Sequence, residues 1–243
     1  MSKELKLSYI TYFGQDYIQE VKSQNIAFEQ ALEELLEREL HRRKNKGIER
    51  RIRKARFPTR KYLEDFLKEK YNPELYPSFQ YLEKLDFIDR KENVILMGTP
   101  GCGKTHYATG LGIRACMEGK NVLFISVPNL LLEMREAMSK HELTSYKKRF
   151  EKYDLVLLDE LGYVSFDQEA SEILFQLLSN RNDKGSMIVT TNLSFHRWNE
   201  ILKDIMLTGA IVDRLAYRAH SLDLSLDVSF RLSETMSWKE KIY

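Results

Sequence analysis

From Ile26 onward, Phe28, Ala31, Leu32, Leu35, Leu36 and Leu40 recur at steps of three and four residues. Glu29, Glu33, Glu34 and Glu37 take the other side. That is the period of a helix with one packed face. The spacing predicts helix through most of residues 1–70, with Gly47 ending one helix and Pro58 following a shorter one. Thr59 is positioned to cap a third across Lys61–Lys68. The stretch Tyr71–Ser78 holds two prolines and no period, so a linker is expected at 71–80.

From residue 90 the rhythm changes. Short apolar runs alternate with helical segments. Val94–Met97 precedes a helix from Lys104, and Val122–Ser126 precedes Leu130–Met138. Leu155–Asp159 precedes Gln168–Arg181, Met187–Thr191 precedes Trp198–Ile205, and Ser221–Leu226 comes last. Buried strands separated by helices imply an α/β fold with a mostly parallel five-stranded sheet. The expected organisation is a small all-helical domain at 1–70 and an α/β domain at 81–243.

Composition adds limits. The 243 residues are 43% apolar and 30% charged, with 11 Gly and 5 Pro, which excludes collagen and wholesale disorder. No apolar run reaches the 18 or so residues of a membrane helix, and Lys3, Glu4 and Lys6 interrupt any signal-peptide core. The expectation is a soluble, cytoplasmic protein without a membrane partner. Cys102 and Cys116 are too few for a disulfide framework and lack metal-ligand spacing, so both read as reduced thiols.

Charge changes the picture more. The net charge is +2, yet residues 38–61 hold twelve cations and two acids, Glu39 and Glu49, for +10. The cations are Arg38, Arg42, Arg43, Lys44, Lys46, Arg50, Arg51, Arg53, Lys54, Arg56, Arg60 and Lys61. Cations without interleaved acids repel one another until a polyanion neutralises them. Nucleic acid suits this best, with an acidic protein surface or a solvated face as alternatives. No base-reading motif accompanies them, so contact with the phosphate backbone is expected.

The chemistry is concentrated at Gly98-Thr99-Pro100-Gly101-Cys102-Gly103-Lys104-Thr105, a complete G-x-x-x-x-G-K-[ST] loop between an apolar strand and a helix. Glycines let backbone N–H groups close around a phosphate, and the helix N-terminus adds its dipole. Lys104 is placed to reach the β- and γ-phosphates, and the Thr105 hydroxyl to bind Mg²⁺. ATP and Mg²⁺ are the expected cofactors. His106 and Cys116 on the following helix read as packing residues. Asp159 and Glu160 end an apolar strand 55 residues after Lys104. Asp159 is the metal-side acid, and Glu160 can polarise an attacking water. Asn192, at the end of the next strand, can hold that water or touch the γ-phosphate, or simply form a turn. Arg214 and Arg231 would by default be surface residues.

Loop, acid pair and Thr-Thr-Asn strand end, in this order, resemble the AAA+ ATPases. Gly-Lys-Thr-His106, Leu-Asp-Glu-Leu-Gly-Tyr163, Phe-Gln-Leu-Leu178, Thr-Thr-Asn-Leu-Ser-Phe195, Asp-Arg-Leu215 and Ser-Phe-Arg-Leu232 resemble the IstB-like ATP-binding proteins, as do the basic segment and Arg56-Phe-Pro58. These are helpers of insertion-sequence transposases and relatives of the DnaC helicase loaders. The resemblance implies a three-layer AAA+ domain behind a helical DNA-binding domain. It also implies ATP-dependent homo-oligomers that bend double-stranded DNA and stimulate a transposase. It brings His106 into the nucleotide-binding set, makes Asn192 sensor 1 and Arg231 sensor 2, and makes Arg214 an arginine finger reaching a neighbour's ATP. It places a helical insertion facing DNA at 129–149, where Lys147, Lys148 and Arg149 are basic. Cys102 departs from the commoner Thr at a position that contributes mainly backbone.

Three other readings compete, and one of them, a non-catalytic DNA-binding protein with a dead nucleotide site, conflicts with the intact Asp159 and Glu160. A DnaC-like helicase loader shares the ATP site but favours single-stranded DNA and needs no +10 segment. A GTPase would carry Asn-Lys-x-Asp, absent here, and a small-molecule kinase has no need of Asn192 and Arg214.

Overall fold

A computed structural model of the protein describes residues 2, 4–226 and 229. The chain forms two compact units, Met1–Arg51 and Ile52–Tyr243. Arg231 and the rest of the Phe230–Leu232 motif lie outside the described residues.

The first unit is built on α1 (Ser8–Gln24) and most of α2 (Phe28–Ala55). Asn25 in the left-handed region ends α1. Gly47 does not end a helix, because α2 runs through it. A lone glycine costs a helix only about 1 kcal/mol, and a long helix of Lys, Arg and Glu absorbs that. The Tyr17 hydroxyl donates to the Ala31 carbonyl at 2.6 Å. The Glu39 carboxylate, buried in α2, caps α1 by accepting from the backbone N–H groups of Ser8 (2.8 Å), Tyr9 (2.5 Å) and Ile10 (3.3 Å). These are donors that a helix start leaves without partners. Within the expected apolar face of α2, Ala31 is buried and Leu35 half-buried, but Phe28, Leu32, Leu36 and Leu40 are exposed.

In the second unit the expected helix at 61–68 is instead a pair of 3-10 turns, Leu63–Asp65 and Lys68–Lys70. The stretch expected as a linker is packed. Pro73–Leu75 forms a further 3-10 turn whose N-cap is the Asn72 side chain, and α3 (Tyr76–Glu83) follows with Phe79 fully buried. Aromatic burial outweighs the two prolines here, since both sit in first turns where no N–H is lost.

The sheet order is β2-β3-β4-β1-β5. Its strands are β1 (Asn93–Met97), β2 (Val122–Ser126), β3 (Leu155–Leu161), β4 (Ser186–Thr191) and β5 (Ala219–Asp223), and every pairing is parallel. The expected last strand thus lies two to three residues earlier. The helices around them are α4 (Asp86–Asp89), α5 (Lys104–Met117), α6 (Val127–Ser139), α7 (Leu143–Glu151), α8 (Gln168–Arg181), α9 (Asn199–Leu202) and α10 (Ile205–Ala216). The expected helix at 198–205 is split between α9 and α10, with Lys203 left-handed and the Asp204 side chain capping α10. Among the described residues no helix is long and apolar enough to cross a membrane.

Candidate nucleotide-binding site

The phosphate loop leaves the C-terminal end of β1 at Gly98 and enters α5 at Lys104. Gly98, Gly101 and Gly103 have φ of 142°, 81° and 91°, values that a side chain would strain. A Cβ at Gly101 would also meet Ser229 Oγ at 2.1 Å, so Ser229 lies against the loop. Lys104 is buried, and its ammonium donates to the loop carbonyls of Gly98 (2.7 Å) and Thr99 (2.9 Å). Its Nζ is also 3.6 Å from the buried Cys102 thiol. Thr99 and Pro100 are exposed at the rim. His106 turns away to Tyr62, its Nε2 being 3.0 Å from that carbonyl oxygen, and meets Phe66 edge-on.

Asp159 comes to the loop from β3. The Thr105 hydroxyl donates to Asp159 Oδ1 at 2.9 Å, and Oδ2 lies 3.2 Å away. Asp159 is nearly buried, while Glu160 is exposed and takes a positive φ of 66°. The register of β3 with β4 shifts between Leu158 and Leu161, which turns the two consecutive acids to different surroundings. Thr190 supports both: its hydroxyl donates to Asp159 Oδ1 at 2.5 Å and accepts from the Glu160 N–H at 3.0 Å. Sequence reasoning missed this role. The only signal was a hydroxyl inside an apolar strand next to the acidic one.

Asn192 follows β4, with Oδ1 buried and without a hydrogen-bond partner. It faces Gly162, where a Cβ would stand 2.4 Å from that oxygen. Gly162 has φ of 126°. A side chain there would displace the amide.

Loop, Thr105, Asp159, Glu160 and Asn192 therefore share the C-terminal edge of the sheet. Such an arrangement suits a polyphosphate and its divalent cation: buried ammonium, hydroxyl and carboxylate side by side, with an orphaned amide oxygen close to the acids. Among the described residues no cluster of three or more His, Cys, Asp or Glu is preformed for a metal.

Arg214 is not brought to this edge. The Asn93 amide, at the start of β1, lies 3.5 Å and 3.3 Å from the carbonyls of Arg214 and Leu215. Five strand residues, about 16 Å, separate that point from the loop. The Arg214 guanidinium bonds Asp213 at 2.6 Å and lies over Phe175 at 5.9 Å.

The cationic candidates divide. Arg38 pairs with Glu20 at 3.0 Å inside the first unit. Arg42 is half-buried and lies over Phe13 at 5.0 Å. Arg43, Lys44, Lys46, Arg50, Arg53 and Lys54 are exposed along α2, with Arg51 half-buried. Arg56, exposed and left-handed, bonds Glu133 at 2.6 Å, and Tyr146 also donates to Glu133. On α7, Lys148 and Arg149 are exposed, and Lys147 bonds Gln176. Arg56 and Arg149 line one small cleft, so the end of the cationic segment and the α7 cations come together.

The sequence profile described as IstB-like ATP binding protein matches residues 1–237. A protein of Pseudomonas aeruginosa named as an ATP-binding protein of insertion sequence IS21 is 32% identical over 231 residues, covering 95% of this chain and 86% of that one. One from Bacillus thuringiensis, named for insertion sequence IS232, is 32% identical over 238 residues, covering 96% and 93%. Among solved structures, the DnaC helicase loader matches with a TM-score of 0.56 and 18% identity, covering 68% of this chain and 96% of that chain. AMPPCP-bound DnaA from Aquifex aeolicus matches at 0.61 and 18%, covering 77% of this chain and 56% of DnaA. At such identities the likeness is one of fold, that of an α/β AAA+ P-loop domain.

Proposed function

Since the chain belongs to the family of IstB-like ATP-binding proteins, we propose that it is an AAA+ ATPase whose ATP-dependent assembly on double-stranded DNA recruits and stimulates a transposase. The observation that carries this reading is the split of the machinery. Lys104, Thr105, Asp159 and Glu160 gather at one edge of the sheet, and Arg214 sits by the other. An arginine that far from its own loop supports a role at the loop of an adjacent subunit.

The roles follow from the chemistry. Amides of the Gly98–Thr105 loop and the Lys104 ammonium bind the β- and γ-phosphates. Thr105 and Asp159 would hold Mg²⁺, which when bound would neutralise phosphate charge. Glu160 takes the proton of the attacking water, and Asn192 orients that water. Arg214 of one subunit stabilises the charge that develops on the γ-phosphoryl group bound by the next. Arg231 is proposed as sensor 2. Hydrolysis is then slow in a lone subunit and rises with assembly, so ATP drives a switch and turnover dissolves the complex.

The cationic face of α2 and the α7 cations grip DNA phosphates, which aligns subunits and bends the duplex. This takes place in the cytoplasm, where the cationic helical segment meets DNA and the α/β unit holds ATP.

The testing experiment measures ATP hydrolysis with no DNA, single-stranded DNA and duplex DNA, with a gel shift on both DNAs. Stimulation and retention by duplex are expected. A clear preference for single strands would favour a DnaC-like loader, and a chain that stays solitary with nucleotide and duplex would end the assembly reading.

A further inference from the structure

The Cys102–Gly103 peptide sits at the turn of the phosphate loop, between glycines on both sides of Cys102. Gly101 and Gly103 have φ of 81° and 91°. Rotating this peptide changes ψ of Cys102 and φ of Gly103, and at Gly103 either sign of φ is tolerated. In a trans peptide the C=O and N–H point in opposite directions. Whatever holds the Cys102 carbonyl therefore also aims the Gly103 N–H.

The carbonyl is held. The Tyr71 hydroxyl donates to Cys102 O at 2.6 Å. Tyr71 is nearly buried, and its ring stacks on Phe66 at 5.0 Å and meets Phe79 edge-on at 6.0 Å. Burial pushes the phenol well above its ordinary pKa, so the hydroxyl keeps its proton.

Its neighbours are anchored on the same helix that starts at the loop. Leu63 packs where Gly110 has no side chain, since a Cβ there would meet Leu63 Cδ2 at 2.8 Å. Phe57 does the same at Gly112, also at 2.8 Å. The Tyr62 carbonyl is 3.0 Å from His106 Nε2, and Phe66 packs on Tyr107 at 4.8 Å. The segment 57–71 thus clamps α5 at several points and ends in a hydroxyl on the loop.

We infer that Tyr71 is a positioning residue for nucleotide binding: its hydroxyl fixes the Cys102–Gly103 peptide so that the Gly103 N–H faces the bound phosphate. Tyr71 touches no phosphate itself. Without its hydrogen bond the peptide samples both orientations, and the loop offers one donor fewer for part of the time. The inference rests on the loop being the nucleotide site proposed above.

Tyr71→Phe keeps the ring and removes only the hydroxyl. Calorimetric titration of the full chain without DNA, using ADP and adenosine as probes, separates a positioning role from a structural one. A structural defect weakens both alike. Tyr71→Phe is expected to weaken ADP by about tenfold and leave adenosine within twofold, because only ADP presents a phosphate to the loop. Equal weakening of both, or an ADP affinity within twofold of the parent, would overturn the inference. Lys104→Ala is the control on the site itself. If that variant binds ADP as well as the parent, the nucleotide-site reading fails, whatever Tyr71 does. The buried Cys102 carbonyl loses its donor in Tyr71→Phe, so the melting temperature is expected to fall by a few degrees while nucleotide-free DNA affinity matches the parent. A fall in DNA affinity together with ADP affinity would count as general unfolding and overturn the positioning role.

Discussion

Thr190 and Asp159 are joined across adjacent strands by a hydrogen bond of 2.5 Å from the threonine hydroxyl to Asp159 Oδ1. The same hydroxyl accepts the Glu160 N–H at 3.0 Å. One buried oxygen therefore fixes the direction of both acids, and it bridges the point where the β3–β4 register shifts. Thr190→Val keeps the shape but leaves the Glu160 N–H unpaired, at about 1–3 kcal/mol. For a chain of this size each kcal/mol lowers the melting temperature by roughly 2–4 °C. Thermal unfolding and ATP turnover should both fall, and unchanged turnover would remove Thr190 from the site.

Glu160→Gln tests the base. The variant should bind ATP and DNA as the parent does while hydrolysis drops by about 10²–10⁴, the range for general acid–base catalysis. Assemblies should persist with ATP. Normal turnover would show that another group accepts the proton.

Arg214→Ala tests the seam between subunits. Loss of an arginine finger costs about 10³–10⁵ in rate. Equilibrium binding of nucleotide to isolated subunits should be unchanged, because Arg214 lies by the start of β1 rather than at its own loop. Weakened binding in isolated subunits would count against the assignment.

Reversal of Arg50, Arg51 and Arg53 to Glu tests the cationic face. Duplex affinity should disappear at moderate salt. For the parent, about six phosphate contacts would give a slope near −5 in log K against log salt, at roughly −0.9 per contact. A gel shift and a salt titration read both quantities, and an unaltered affinity would move the DNA surface elsewhere.

Glu39 makes the helical hairpin acid-sensitive. Burial alone would raise its pKa, but the N–H groups of Tyr9, Ser8 and Ile10 outweigh that, and the net displacement is downward. A carboxylate held below its ordinary value stabilises the fold above that value and loses its contribution as pH falls toward the lower one. Helicity by circular dichroism should therefore decline on acidification below about pH 4.3, the usual glutamate value. Glu39→Gln should lower stability at neutral pH and flatten that acid limb. An acid limb identical to the parent's would show that another group governs it.

Much of the ATPase domain was legible because its signals are local. The loop is eight consecutive residues, the strands are short apolar runs, and the helix expected at Gln168–Arg181 is found with those bounds. Some local signals misled. Gly47 looked like a stop, but one glycine costs a long helix little and α2 runs through it. The prolines at 73 and 77 looked like a linker, but they sit in first turns ahead of Phe79, whose burial outweighs them. The leucine stripe of α2 looked like one packed face, yet only the Ala31 and Leu35 side of it is covered.

What the sequence alone determined is the chemistry: a phosphate loop, two acids after an apolar strand, and a dense run of cations. Only the tertiary structure decided which groups work together. Thr190 meets Asp159 from 31 residues away, Tyr71 meets Cys102 from 31, and Asn93 meets the Arg214 carbonyl from 121. Contacts of that kind leave no period and no composition in the chain. They arise because parallel strands bring distant segments to the same edge of one sheet, and because a buried polar atom must find its partner wherever the packing puts one.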